Sequence, residues 1–524
     1  MTGAAAVAWV NGRVYTGHRW VEALLVEGDR VVAASTSSEV RRARPTGTTT
    51  VDLAGRWVLP GLIDAHLHLA RSVLAPLGVD LRGVASVRAL VARVRRRLDG
   101  GRHEPLLGFG WDQERFSEHR WPSRDDLDRL PTDRPIVLHR HCLHAAVVNS
   151  AALEMVGLDD ASADPPRGRL GRSGGRLDGL LFEDALARLR PLEARAFDGA
   201  VHGVRRFFDR AASVGLTTIA PMNADPREIR AAVGAYEREP LPVRLRWYVR
   251  ADRLAALSSR ISSRGRDDVR LSGVKIVADG SLGARTAWLE EPYSDAPDES
   301  GLALGTAQEM TASVRSATAR RLPVAVHAIG DRALRRVVDV LESERTIGTP
   351  RIEHASMTPP ALVDALAHLG ASIVVQPHFL PSDGWLPERL GDARARWTYA
   401  FRTLRDRGLT VAGSSDAPIE PIDPWTGVNA AVAPRPAYAR GEELLPQEAV
   451  EMYTSAAGRA LGEPSLGTLE PGAWADLVLL GVHGWETLLE RGAGAIQETY
   501  RGGALTYRAD STARAVGADP TKPI

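Results

Sequence analysis

Between its two ends, this chain alternates short apolar runs with amphipathic helical stretches. RLPVAVHAIG precedes DRALRRVVDVLESE, and PPALVDALAHLG precedes ASIVVQPHF. Such alternation indicates parallel strands with crossover helices, hence an α/β barrel or an open doubly wound sheet. In a barrel, catalytic side chains stand at the C-terminal ends of the strands. The stretch from about residue 70 to 195 breaks the pattern, being rich in Arg, Pro and Gly, and reads as an insertion after the first barrel strand.

Both ends read as β-structure. AVAWVNGRVYTG and ALLVEGDRVVAA are broken by Asn11-Gly12 and Gly28-Asp29, both good hairpin turns. ADLVLL and AIQETYRGGALTYRA behave similarly, with Gly502-Gly503 as the turn. Neither end has enough strands to stand alone, so the two are expected to pair in one small β-domain. The residues from Ala509 onward are expected to be a disordered tail.

Composition narrows the function classes. A chain of 524 residues with 44% hydrophobic and 25% charged residues is long enough for a large core. A net charge of +1 gives no reason to expect nucleic acid or anionic membrane as a partner. The densest basic stretch, VARVRRRLDGGRHE, reads as the solvated side of a helix capped by Ser86, with Val87, Leu90, Val91, Val94 and Leu98 facing inward. One cysteine, Cys142, rules out an intrachain disulfide and a Cys-based zinc cluster. The start lacks a basic n-region, and no window approaches the ~20 apolar residues that span a bilayer. The expectation is a cytoplasmic protein acting on a small molecule, with a homodimer the default for this size.

Of the 66 basic residues, only Lys275 and Lys522 are lysines, and Lys522 lies in the polar tail. Lys275 sits in the apolar run LSGVKIVADGSLG, where it shares one strand face with Val277. Arginine would serve a simple ion pair as well or better, whereas a buried lysine can lose its proton and act as a nucleophile, Schiff base or carbamate. The structural alternative is a buried salt bridge to Asp279 or another carboxylate.

Histidines and one aspartate occupy comparable positions. In WVLPGLIDAHLHLA, His66 and His68 are two apart and point to one side of a strand, an arrangement suited to a borderline metal such as zinc. His327 ends VAVH, His354 ends RIEH, and Asp416 follows LTVAGSS. Singly, each could be a satisfied core histidine or a helix-capping aspartate; together they fall at successive predicted strand ends. His18, His103, His119, His202, His368 and His483 lack that placement.

These motifs, in this order, resemble the amidohydrolase superfamily, and more closely its amidohydrolase-3 branch, which includes YtcJ-like proteins and N-substituted formamide deformylases. The likeness spans nearly the whole chain, from DLAGRWVLPGLIDAHLHL through GWDQERF, HAAVVNSAAL, VKIVADGSLGARTAWL, VAVHAIGDRAL, RIEHAS and GSSDAPIEPIDPW to LGTLEPGAWADLVLL. It implies a metal-dependent (β/α)8 TIM-like barrel over 59–462 and a small β-sandwich from 1–58 and 463–508. It further implies that His66, His68 and Asp416 bind one divalent metal, zinc by expectation, and that His327 and His354 bind a second. Lys275, N6-carboxylated, would bridge the two. GLTTIAPMNAD lacks an acidic residue common after the threonines, and HCL stands where an aspartate-glycine pair is usual; both departures bear on substrate preference.

The implied activity is hydrolysis of a non-peptide C–N bond, amide or formamide, by a metal-activated hydroxide, with Asp416 as general base and then acid. Trp111, His144 and Arg285 are candidate substrate contacts. A mononuclear aminohydrolase deaminating a heterocycle is the enzymatic alternative, and a non-catalytic barrel scaffold is the alternative of another class.

Overall fold

The computed structural model describes residues 6–98, 104–200, 203–256 and 267–510. Eight strands form one sheet in chain order: β1 (Leu62–Leu67), β2 (Leu216–Pro221), β3 (Arg244–Arg250), β4 (Val269–Val277), β5 (Val324–Ala328), β6 (Arg351–His354), β7 (Ser372–Val375) and β8 (Thr410–Gly413). Each pairs in parallel with the next. The first and last edges meet through backbone hydrogen bonds, from Asp416 N to the His66 carbonyl at 2.9 Å and from His68 N to the Ala417 carbonyl at 2.8 Å. The result is the expected parallel α/β barrel.

Its strands are apolar runs because both faces are covered. β5, VAVHA, is buried throughout, and the helix Asp331–Ser343 behind it buries Leu334, Val337, Val338 and Leu341. Gly330, between them, admits no side chain, since a Cβ there would lie 2.1 Å from the Trp288 carbonyl oxygen. Inside the barrel, Ile63, Ala65, Ala220, Ala325, Val374 and Ala412 form a floor of mostly small side chains with Tyr248. The catalytic end stands above that floor.

The insertion is more ordered than its composition suggests. A six-stranded mixed sheet runs Gly168–Ser173, Arg176–Glu183, Ala145–Val148, Ile136–Arg140, Leu106–Trp111, Val79–Asp80. The helix Val87–Leu98 packs on it through Val87, Leu90 and Val94, with the Ser86 hydroxyl accepting from Ala89 N at 3.0 Å, as the capping pattern requires. These strands escaped the alternation pattern because they are short and interrupted by glycines such as Gly110 and Gly179, both at positive φ.

The termini build two further sheets. Four strands from the N-terminal end form one. The other joins Arg13–Tyr15, Trp20–Val21 and Trp57–Pro60 to Leu477–Leu480, Ile496–Arg501 and Ala504–Arg508 from the C-terminal end. Gly28-Asp29 and Gly502-Gly503 turn hairpins as expected. Asn11-Gly12 does not: it carries the chain from the four-stranded sheet into the six-stranded one, with Asn11 at φ 59° and Leu53 packed over Gly12. Both edges of the preceding strand are already paired, with Ala23–Glu27 and Thr49–Asp52, so no edge is left for a hairpin partner. Ala509 N still donates to the Gln497 carbonyl at 2.9 Å; residues 511–524, where the tail was expected, lie outside the described residues.

Candidate metal centre

β1, β4, β5, β6 and the turn after β8 deliver Lys275, Asp416 and four imidazoles to the wall of one cavity of about 690 Å³. His66 lies on β1, and His68 follows it directly, heading the helix Leu69–Leu74. Asp416 Oδ1 faces both, 3.4 Å from His66 Nε2 and 3.1 Å from His68 Nε2. The ligand atoms of these three residues lie within 4.8 Å of one another. The rings continue as a chain: His66 to His354 is 4.9 Å between centroids, and His354 to His327 is 4.4 Å.

Buried partners decide which nitrogen each imidazole can offer. His66 Nδ1 stands 2.7 Å from the Glu353 carboxylate, so it carries the proton and Nε2 is free. His354 Nδ1 likewise donates to Gln376 Oε1 at 2.7 Å, and the Gln376 amide is fixed in turn by Ser414 Oγ at 2.9 Å. His327 is reversed: Nε2 donates to the Gly280 carbonyl at 3.0 Å, leaving Nδ1 free. Burial lowers the pKa of all three rings well below the ordinary histidine value, so they are neutral and able to ligate.

Lys275 points into the barrel, not onto its helices. Its amine is fully buried without a hydrogen-bond partner, and no ion pair to Asp279 forms. Burial pulls its pKa down to about 8, although the Glu353 and Asp416 carboxylates resist the shift. Asp279 is occupied elsewhere, accepting from Ile329 N, Gly330 N and Trp288 N at 3.0, 2.8 and 2.9 Å. Asp416 Oδ1 is also buried without a hydrogen bond. Burial raises the Asp416 carboxyl, but His66, His68 and Lys275 outweigh that and hold it below the usual carboxylate range. A buried carboxylate oxygen without a hydrogen bond, set among neutral imidazoles, fits a divalent cation. The backbone is strained there as well, with φ of 72° at His354, 42° at Ala355 and 55° at Asp416.

Of the expected substrate contacts, one reaches the site. His144 lines both the large cavity and a smaller one of about 50 Å³, and its ring lies 5.3 Å from His327. Burial lowers its pKa, but Glu183, 2.9 Å from Nδ1, prevails and pushes it up to about 9. Trp111 is instead part of the inserted sheet's core, fully buried, with Nε1 donating to the Leu138 carbonyl at 2.8 Å. Arg285 is taken by Asp295, with Nη2 to Oδ2 at 2.7 Å, and lines neither cavity. The sequence reading missed Glu353, Gln376, Glu183 and Asp64. Asp64 accepts from Ser415 N at 3.1 Å and from Ser415 Oγ, tying the turn that carries Asp416 to the strand that carries His66. For Asp64 and Glu353 the signal was a polar residue inside a buried strand, Asp64 two before His66 and Glu353 next to His354.

Residues 49–507 match the amidohydrolase family. The chain is 32% identical to "Putative amidohydrolase YtcJ" of Bacillus subtilis (strain 168), over 90% of this chain and 93% of that protein. It is 25% identical to "N-substituted formamide deformylase" of Arthrobacter pascens, over 88% and 90%. An uncharacterized metal-dependent hydrolase from Pyrococcus horikoshii OT3 superposes with a TM-score of 0.77 at 31% identity, covering 91% of this chain and 98% of its own. The chain thus belongs to the amidohydrolase family, as a hydrolytic enzyme with a His-His-Asp cluster at its barrel mouth.

Proposed function

We propose that the protein hydrolyses a non-peptide C–N bond, of amide or formamide type, in a small molecule, using two divalent ions, zinc first among the candidates. The observation that carries this reading is Lys275, a buried, unpartnered amine among five candidate ligands. With its pKa near 8, about a tenth of the amine is neutral at pH 7, the form that adds to carbon dioxide. That addition forms an N–C bond, releases a proton and leaves an anionic carbamate. His66, His68 and Asp416 would hold one ion and His327 and His354 the other, with the Lys275 carbamate serving both. Neutral imidazole nitrogen and carboxylate oxygen suit zinc.

When bound, such ions supply Lewis acidity, polarising a carbonyl and lowering the pKa of water from 15.7 toward ~7. The residues do the rest. Asp416 takes the proton of the attacking water on its carboxylate and returns it to the leaving nitrogen. Glu353 and Gln376 keep His66 and His354 in their ligating tautomers. His144, held protonated by Glu183, presents Nε2–H to the oxygen on which charge develops. The formamide deformylase relative supports a formamide-type substrate.

Metal analysis of the purified protein should return about two divalent ions per chain; near zero after metal-supplemented expression sinks the hydrolase reading. Lys275→Ala should lose two-metal binding and regain part of it with short carboxylic acids. Full activity in Lys275→Arg refutes the carbamate. A screen over N-formyl and N-acyl compounds identifies the substrate. A mononuclear aminohydrolase is the second reading, favoured by the compactness of the His66-His68-Asp416 trio. It predicts one tightly bound metal and an unmodified Lys275.

A further inference from the structure

The larger cavity extends well beyond the candidate ligands, and part of its wall is built from arginines. Arg190 opens the helix Arg190–Ala200, Arg250 ends β3, and Arg253 follows in the 3₁₀ turn Ala251–Ala256; all three line the cavity. Arg250 is answered by Asp184 at 3.4 Å and Asp252 at 3.1 Å. Among the described residues, Arg190 and Arg253 have neither a side-chain hydrogen bond nor an ion pair. Nearby acids are committed elsewhere: Asp184 also holds Arg167 at 3.1 Å, and Glu193 meets His139 at 2.9 Å and Arg71 at 3.4 Å.

Arg190 is only partly exposed, and burial together with the charges of Arg250 and Arg253 lowers its pKa, outweighing the Asp252 and Glu193 carboxylates, which raise it. Like charges gathered on a partly desolvated wall destabilise one another unless an anion joins them. Guanidinium groups match the paired oxygens of a carboxylate or phosphate, and Lys275 and these arginines line one cavity of about 690 Å³, a size that holds a small-molecule ligand.

We propose that Arg190 and Arg253, backed by Arg250, form an anion subsite, and that the substrate carries a carboxylate or phosphate at the end remote from its scissile C–N bond. The substrate half of this inference rests on the hydrolase reading above; the subsite itself does not. The test uses the metal-loaded enzyme and matched compounds: N-formyl and N-acetyl amino acids against their carboxamides, and N-acetylethanolamine phosphate against N-acetylethanolamine. The charged member of a pair should show roughly 10- to 100-fold higher kcat/KM, chiefly through KM. Which pair shows the preference identifies carboxylate or phosphate. Arg190→Gln and Arg253→Gln should collapse that ratio toward parity at unchanged metal content. Calorimetry with acetate and inorganic phosphate on wild type and both variants reads the subsite without turnover, since the metal centre is common to all three. Weaker anion binding in the variants with no compound hydrolysed would uphold the subsite and refute the proposed function. Equal turnover of charged and neutral partners, with anion binding unchanged in both variants, would refute the subsite and leave the hydrolase reading standing.

Discussion

Glu353 is the buried charge on which the orientation of His66 depends. Its carboxylate takes hydrogen bonds from Arg351 Nε at 3.0 Å and Nη2 at 3.2 Å, and from His66 Nδ1 at 2.7 Å. Glu353→Gln preserves the shape and removes the charge, with two consequences. Arg351, also buried, loses its counter-ion, and breaking such a pair costs about 3–5 kcal/mol. The Tyr248 hydroxyl and the Ala65 carbonyl still accept from Arg351, at 2.9 and 2.8 Å, so the low end of that range applies. The amide oxygen then faces Arg351 and its NH2 faces His66 Nδ1. That nitrogen can accept only if the ring proton moves to Nε2, which removes the lone pair a metal needs. Loss of an orienting partner typically lowers metal affinity about 10- to 100-fold, or about 1.4–2.7 kcal/mol. Chelator competition measures the affinity, and urea denaturation in excess chelator isolates the metal-free stability. Metal affinity within about twofold of wild type, together with an unmoved denaturation midpoint, would show that Glu353 orients nothing.

Three further outcomes follow from single side chains. Glu228 lines the cavity, and burial raises its carboxyl from 4.5 to about 8. The unfolded chain ionises first, so this group's stabilising effect is complete below about pH 4.5 and is lost as pH rises through about 8, a change of at most about 4–5 kcal/mol. Glu228→Gln should therefore gain on wild type in urea midpoints between about pH 5 and 8.5, and parallel pH profiles would contradict the shift. Ser415→Ala deprives buried Asp64 of its hydroxyl donor, which should cost about 1–3 kcal/mol by denaturation and lower kcat by loosening the turn that carries Asp416. Trp111→Phe removes the bond to the Leu138 carbonyl, so stability should drop by about 1 kcal/mol while KM stays put; a raised KM would return Trp111 to the substrate site.

The barrel was legible because its strands are buried on both faces and its helices on one, so apolar runs and helical periodicity alternate without any long-range information. The placement of the candidate ligands was legible for a related reason: a His or Asp ending an apolar run sits at a strand's C-terminal end whatever its partners are. The orienting residues were not, because their meaning lies across the barrel. Glu353 meets His66 from 287 positions away, and Ser415 meets Asp64 from 351. Trp111 and Arg285 line neither cavity, because sequence places a residue near the mouth without saying what captures it first. Asp295, ten residues after Arg285, captures that arginine, and the inserted sheet's core captures Trp111. Lys275 is the opposite case. Its isolation among arginines was visible in the composition, and arginine would have served any ion pair at that site. The structure supplies no ion pair for it, only burial and a lowered pKa. A fully buried, unpaired lysine beside five candidate ligands has the one property that the proposed carbamate needs and arginine lacks: an amine that can be neutral and react.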